Sequence, residues 1–454
     1  MDRRTLLKTT SAGFGYLAFA GLNAALQARE AKSPLSPKAT HFPGTAKRVI
    51  FMFMNGAPSH VDTFDYKPQL QKDDGKTAPG RGFGGGRKLL ASPYAFKQSG
   101  QSGLWISEIF PELGKMADDL CLLRGMHTDS QAHPQATLQM HTGSFIQTRP
   151  SMGAWVLYGM GTENDCLPGF ISIRPSGGAI NYGSSFLPGV YQGTRVGGAG
   201  GFGGGGQMTI GNISNRRLTK EKQRAQLDFL QELNEDGAKQ QGGSDAVESV
   251  IESFELAFRM QGELPKVMDL NQETRATQQR YGIGDNATSD FGRQCLTARR
   301  LVEAGVRFVE IGHGNWDQHQ NLKAQHQQHA TAIDKPIAGL LGDLKDRGLL
   351  KDTLVIWGGE FGRTPSAQGT DGRDHNNRGF AMWLAGGGVK GGLSHGATDE
   401  HGFQAVDGKM HVHDLHATIL HLLGFDHEKL TYRHAGRDFR LTDVYGKVAK
   451  EILA

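Results

Sequence analysis

The sequence predicts an α/β protein with a doubly wound, mostly parallel central sheet flanked by helices, and two observations carry that expectation. Five short apolar runs lack polar alternation, as strands covered on both faces do. Long helical patterns lie between many of them, which suits crossover connections between parallel strands. In chain order the runs are Arg48–Met54 (RVIFMFM), 119–124 (DLCLLR), 306–311 (VRFVEI), 353–357 (TLVIW) and 380–384 (FAMWL). Helical patterns cover 246–260, 290–304, 326–347 and 413–423. The stretch 207–290 is charged, Gln-rich and helical, and reads as an excursion capping the sheet within a single domain spanning 29–454. Glycine, at 64 residues, concentrates in 80–86 and 196–206, which read as long surface loops. Neither tract holds a P-loop pattern.

The first residues set the compartment. Arg3-Arg4-Thr5-Leu6-Leu7-Lys8 is a twin-arginine n-region, and the apolar run 11–26 is too short and too rich in small residues for a good membrane anchor. Residues 1–28 therefore read as an export signal, with the twin-arginine machinery as partner and cleavage near Ala28; an uncleaved anchor is the alternative. The expected location is the periplasm or the extracellular space. Three cysteines (Cys121, Cys166 and Cys295) have neither an even count nor a CxxC spacing, so they read as small buried hydrophobes. The net charge is only +4 and basic residues are scattered, which argues against nucleic-acid binding.

Four short clusters hold the chemistry: 55–62, 129–133, 315–319 and 360–375. Each follows, or lies close behind, a predicted strand. In an open α/β sheet ligands bind at the carboxyl ends of the strands, so segments remote in sequence can meet there. Asp317 and His319 are two residues apart in an extended loop and can point to one side. Such Asp/His sets suit zinc, manganese or iron better than calcium, which takes only oxygen. The plainer reading of Asp317 is a helix N-cap. Glu360 follows a strand and a Gly358-Gly359 turn, with Arg363 three residues on; this reads as a metal ligand beside an anion-binding guanidinium, or as an internal salt bridge. The segment 371–378 adds Asp371, Arg373, Asp374, His375 and Arg378. His411, His413 and His416, at the start of a helix, read as capping or interface residues, and His326 and His329 are discounted in the same way.

Taken together, RVIFMFMNGAPSHVDTFDYKP, HPQATLQMHTG, GNWDQH, GGEFGRTP, GTDGRDHNNRG and GGVKGG make the chain, from about Lys47 to its end, resemble the secreted family called domain of unknown function 1501. That family in turn resembles the alkaline phosphatase and sulfatase superfamily. The resemblance implies an alkaline-phosphatase-like fold with one or two divalent metals at the strand ends. It implies Asp317, His319 and His375 around one metal, Glu360 and Asp62 toward a second, and leaves the role of Asn55 open. Where the superfamily carries its nucleophile, in register with Thr142-Gly143, this chain has His133. No C-x-P-S-R or C-x-A-x-R is present, which disfavours a formylglycine sulfatase. Two chemistries remain: metal-activated water with His133 as ligand or base, or transient substitution of His133 itself. Thr128 and Ser130 are nearby hydroxyl alternatives. The expected substrate is a phosphate or sulfate ester, on a small molecule or a polysaccharide; the rival reading is a metal- or glycan-binding protein without turnover.

Overall fold

The computed structural model of the chain describes residues 33–79, 85–175, 178–197, 213, 217–240 and 245–454. The export signal and most of both glycine tracts lie outside the described residues. The core is a nine-stranded, mostly parallel sheet between helices. Its order is Leu393–His395, Leu120–His127, Phe380–Ala385, Thr353–Gly358, Arg48–Met54, Phe308–His313, Phe170–Ile173 and Thr194–Val196, with Met410–His411 also paired to Leu120–His127.

The predicted runs form its centre. Arg48–Met54 pairs in parallel with Phe308–His313 (Met54 opposite His313) and with Thr353–Gly358 (Phe53 opposite Gly358), so all three end at one edge. Phe380–Ala385 runs antiparallel to both neighbours, Thr353–Gly358 and Leu120–His127. Two successive inversions restore the direction, so Leu120–His127 also ends at that edge. Alternate residues of Arg48–Met54 face opposite cores. Ile50, Met52 and Met54 meet Leu296, Ile337 and Leu340 of helices Ser289–Glu303 and Leu322–Asp346. Val49, Phe51 and Phe53 meet Trp155 of Met152–Met160 and Leu415 and Ile419 of Val412–Leu422. Coverage on both faces is what the uninterrupted apolar runs require.

The excursion contains helices Lys220–Gln240 and Asp245–Met268, joined by Arg224, which binds Glu255 at 2.8 Å and lies 5.2 Å over the Phe258 ring. Met260 and Leu264 anchor the second helix to the core. Cys121 and Cys295 are buried as expected, but Cys166 is only partly covered. Among the described residues no helix is long and apolar enough to cross a membrane. The segment 371–378, expected as a loop, is instead partly strand: Gly362–Gln368 and Gly372–Asn376 form an antiparallel hairpin, with His375 opposite Arg363.

Candidate metal centre

Four connections leave the carboxyl edge of the sheet and converge. After Met54 the chain turns at Gly56, whose φ of +100° and whose approach to Trp316 (an added Cβ would lie 2.7 Å from its nitrogen) both require glycine. That contact lays the loop after the first strand on the loop bearing Asp317. After His127 a short loop leads into helix His133–Thr142, which places His133 in its first turn. Glu360 and the hairpin follow Gly358.

Three imidazoles meet one carboxylate oxygen. Asp317 Oδ1 lies 2.8 Å from His319 Nε2, 3.3 Å from His133 Nε2 and 3.3 Å from His375 Nε2. His319 Nε2 and His375 Nε2 are 3.0 Å apart. Donor atoms around a four-coordinate ion with bonds of ~2.0–2.1 Å stand about 3.3 Å from one another, and these four separations are of that order. His133, Asp317 and His375 each offer an atom within 4.8 Å of the others'. The far side of each ring meets an acceptor: His133 Nδ1 donates to Glu360 Oε1 at 2.6 Å, His375 Nδ1 to the Gln131 carbonyl at 2.7 Å, and His319 Nδ1 to Gln368 Oε1. With each Nδ1 carrying the proton, all three Nε2 lone pairs are turned inward.

Several residues take places other than those expected. Asp62 is not at the cluster: it is fully buried, and both of its oxygens are held by Arg373, at 2.7 and 3.1 Å, with Ser59 Oγ at 2.5 Å. Its acceptor capacity is spent on a guanidinium. Arg363 is fully buried too, so it has no free face for an anion; it binds Asp317 at 2.5 Å and forms no salt bridge with Glu360. Glu360 stands behind His133 and not within the inward-facing set; the Gly56 N–H fixes its Oε1 at 2.9 Å, and its Oε2 is buried with no partner. His319 and His375 sit with Asp317 as the sequence suggested, and His133 joins that same group.

His411, His413, His416 and His326 are held by backbone groups away from this cluster. His411 accepts the His413 N–H at 3.1 Å and caps its helix, while His413 and His416 each donate to a carbonyl, of Gly143 and Met140, at 2.8 Å. His326 Nε2 accepts the Ser59 N–H at 3.0 Å. Sequence reasoning missed Gln368 and the pairing role of Arg373. The one signal for them was Gly369-Thr370-Asp371-Gly372, a hairpin turn that joins the strands carrying both residues.

The electrostatics follow from the packing. Burial opposes ionisation of Asp317, yet the His133 and His375 rings and the Arg363 guanidinium outweigh it and hold the carboxyl well below its usual range. For His133 burial again opposes charge, but Asp317 and Glu360 raise its pKa from 6.5 to about 9. In metal-free protein His133 is therefore an imidazolium at neutral pH, and a metal must displace its proton.

Two outcomes are expected. Arg373→Met leaves the Asp62 carboxylate buried and unpaired, and urea unfolding should show a loss of about 3–5 kcal/mol, much of it regained in Asp62→Leu/Arg373→Met. In chelator-treated protein, the folded pKa of His133 exceeds its ordinary value, so its stabilising contribution is complete below pH 6.5 and disappears as pH rises through about 9. Thermal unfolding across that window should show the loss, and His133→Gln should flatten it.

Comparison with known proteins identifies the chain's family. No curated protein matches the chain. Among solved structures it is similar to a sulfatase from Pseudoalteromonas sp., with 14% identity over 89% of this chain and 71% of that one and a TM-score of 0.37. It is similar to the lipoteichoic acid synthase LtaP from Listeria monocytogenes, at 9% identity over 90% and 78% of the respective chains and a TM-score of 0.38. A variant of TAB5 alkaline phosphatase with Mg bound matches at 10% identity over 84% and 99%, with a TM-score of 0.35. Residues 46–453 match the family described as "Protein of unknown function (DUF1501)", and the chain belongs to that family.

Proposed function

We propose that the protein is an exported, metal-dependent hydrolase of phosphate or sulfate esters. The observation that carries this reading is the triple inward orientation of His133, His319 and His375, each with its Nδ1 on an acceptor and its Nε2 directed at Asp317 Oδ1. These four residues would hold one divalent ion, and three nitrogens with one carboxylate suit zinc, manganese or iron. Such an ion, once bound, lowers the pKa of a water and polarises an ester oxygen.

The chain's own residues support an anionic substrate. The Asp317 carboxylate is already offset by Arg363, and the imidazoles are neutral when they coordinate. Summed with Glu360, the loaded site keeps about one positive charge, which favours an ester oxyanion. Glu360 fixes the His133 ring through Nδ1 and keeps Oε2 as a free acceptor. Neither alternative hydroxyl is poised as a nucleophile: Thr128 donates to Gln139 at 2.6 Å and Ser130 Oγ accepts the Ala132 N–H at 3.2 Å. His133 is held at Nδ1 by Glu360, and its Nε2 lies 3.3 Å from Asp317 Oδ1. Water as nucleophile is the reading this favours. The same want of a side-chain nucleophile favours, as the second reading, a metal- or glycan-binding protein without turnover.

Protein purified without chelators should carry about one equivalent of transition metal and hydrolyse 4-nitrophenyl phosphate or 4-nitrophenyl sulfate. His319→Ala and His375→Ala should lose metal and activity while remaining folded. Glu360→Gln should weaken metal binding by about 10–100-fold, because it alters the group that orients His133. Less than about half an equivalent in the wild type ends the hydrolase reading; full metal with no turnover selects the binding protein. Export rests on the paired arginines, so replacing Arg3 and Arg4 by Lys should leave precursor in the cytoplasm, seen by fractionation.

A further inference from the structure

A cleft of about 1010 Å³ opens between the residues that follow helix His133–Thr142 and the segment around Tyr445. One loop touches both this cleft and the metal centre. Asp129 lines the cleft, and the same loop two residues on supplies the Gln131 carbonyl that holds His375 before entering the helix at His133.

The acceptors of the cleft are already engaged. Asp129 is bound by Gln139 and lies 3.3 Å from His411 Nε2. Asp414 accepts the backbone N–H groups of His411 at 2.8 Å and Lys447 at 2.7 Å. Asp443 alone faces two guanidiniums, Arg149 at 3.0 Å and Arg437. One donor, by contrast, is left over: the exposed Lys447 ammonium has no partner among the described residues, whereas the unpartnered Arg149 Nε is buried. A ligand that engages Lys447 must bring acceptor oxygens, and anionic ones for preference.

The remaining wall is apolar and flat. Tyr445 stacks on His413 at 5.1 Å and 15° yet is 60% exposed, so one face of its ring is open. Val444, Ile146 and Phe145, all exposed, extend that surface. A flat C–H face combined with sulfate or phosphate oxygens describes an anionic saccharide, and the cleft is at the upper end of the size of ligand sites, about 300–1,000 Å³.

We infer that this cleft is a subsite for a sulfated or phosphorylated oligosaccharide, with Tyr445 as the stacking platform and Lys447 as the anion donor. The inference rests on the hydrolase reading for its link to turnover, and its test separates the two. Binding of a chondroitin sulfate tetrasaccharide and of its desulfated counterpart to the full-length protein is measured by calorimetry at about 0.15 M salt, where long-range attraction is screened. The sulfated probe should bind at least about tenfold more tightly, and Tyr445→Ala and Lys447→Ala should each weaken it about tenfold. Both variants should keep wild-type metal content and wild-type turnover of 4-nitrophenyl esters. Equal affinity for the two tetrasaccharides, or variants that bind as the wild type does, overturns the inference. Variant-sensitive binding by a protein that carries no metal upholds the subsite and removes the hydrolase reading alone.

Discussion

One buried guanidinium holds the functional edge of this protein together. Arg363 has no exposed surface, and its donors reach Gly56 O at 2.5 Å, Ala57 O at 3.1 Å, Arg373 O at 3.3 Å, Trp316 O at 3.4 Å and Asp317 Oδ1 at 2.5 Å. Those acceptors belong to three separate connections. Buried loop carbonyls that find no partner in a sheet ladder are costly, and an arginine fork is the one side chain able to satisfy so many at once. The same contact fixes the Asp317 carboxylate and cancels its charge locally, so the three imidazoles are arranged around a carboxylate that is already held in place.

A second arginine does comparable work one layer deeper. Arg373 closes on Asp62 with neither partner exposed, and its carbonyl accepts from Arg363, so the hairpin carries both guanidiniums into the loops it covers. Pairs of this kind add little net stability against an apolar substitute. What they supply is a defined geometry: Gly56, Glu360 and His133 form one chain of hydrogen bonds from backbone to ring, at 2.9 and 2.6 Å. A ring fixed at its outer nitrogen holds its inner lone pair in a set direction.

The sheet was legible in the chain because both of its faces are covered, which gives apolar runs with no alternation. Boundaries were less so: the run 306–311 is the strand Phe308–His313, since Val306 still closes the preceding helix by donating to Leu301 O. Helix His133–Thr142 had no apolar periodicity to read because it buries Gln139, His141 and Thr142. The strands Phe170–Ile173 and Thr194–Val196, at four and three residues, were too short to stand out. In the site the residue types were readable and their partners were not. Asp62 and Asp317 look alike as carboxylates behind strands, and only the hairpin decides that one faces Arg373 and the other a ring of imidazoles. Glu360 likewise looks like a ligand until the position of His133 is known.

The inverted strand Phe380–Ala385 has a consequence for the order in which the molecule assembles. Because it runs against Thr353–Gly358, the chain leaves one strand and enters the next at the same edge, with no crossover, and residues 359–379 never depart from it. That unit closes through near-neighbour contacts, the kind that form early because little loop entropy opposes them. Arg48–Met54 must instead find partners roughly 250 to 300 positions away, Val49 opposite Phe308 and Leu354. In kinetic terms the hairpin with its two arginines can be in place before the central strand arrives. Gly56 and Ala57 are then delivered to a guanidinium already waiting for their carbonyls, and the loop bearing Asp317 follows with the strand that pairs beside them.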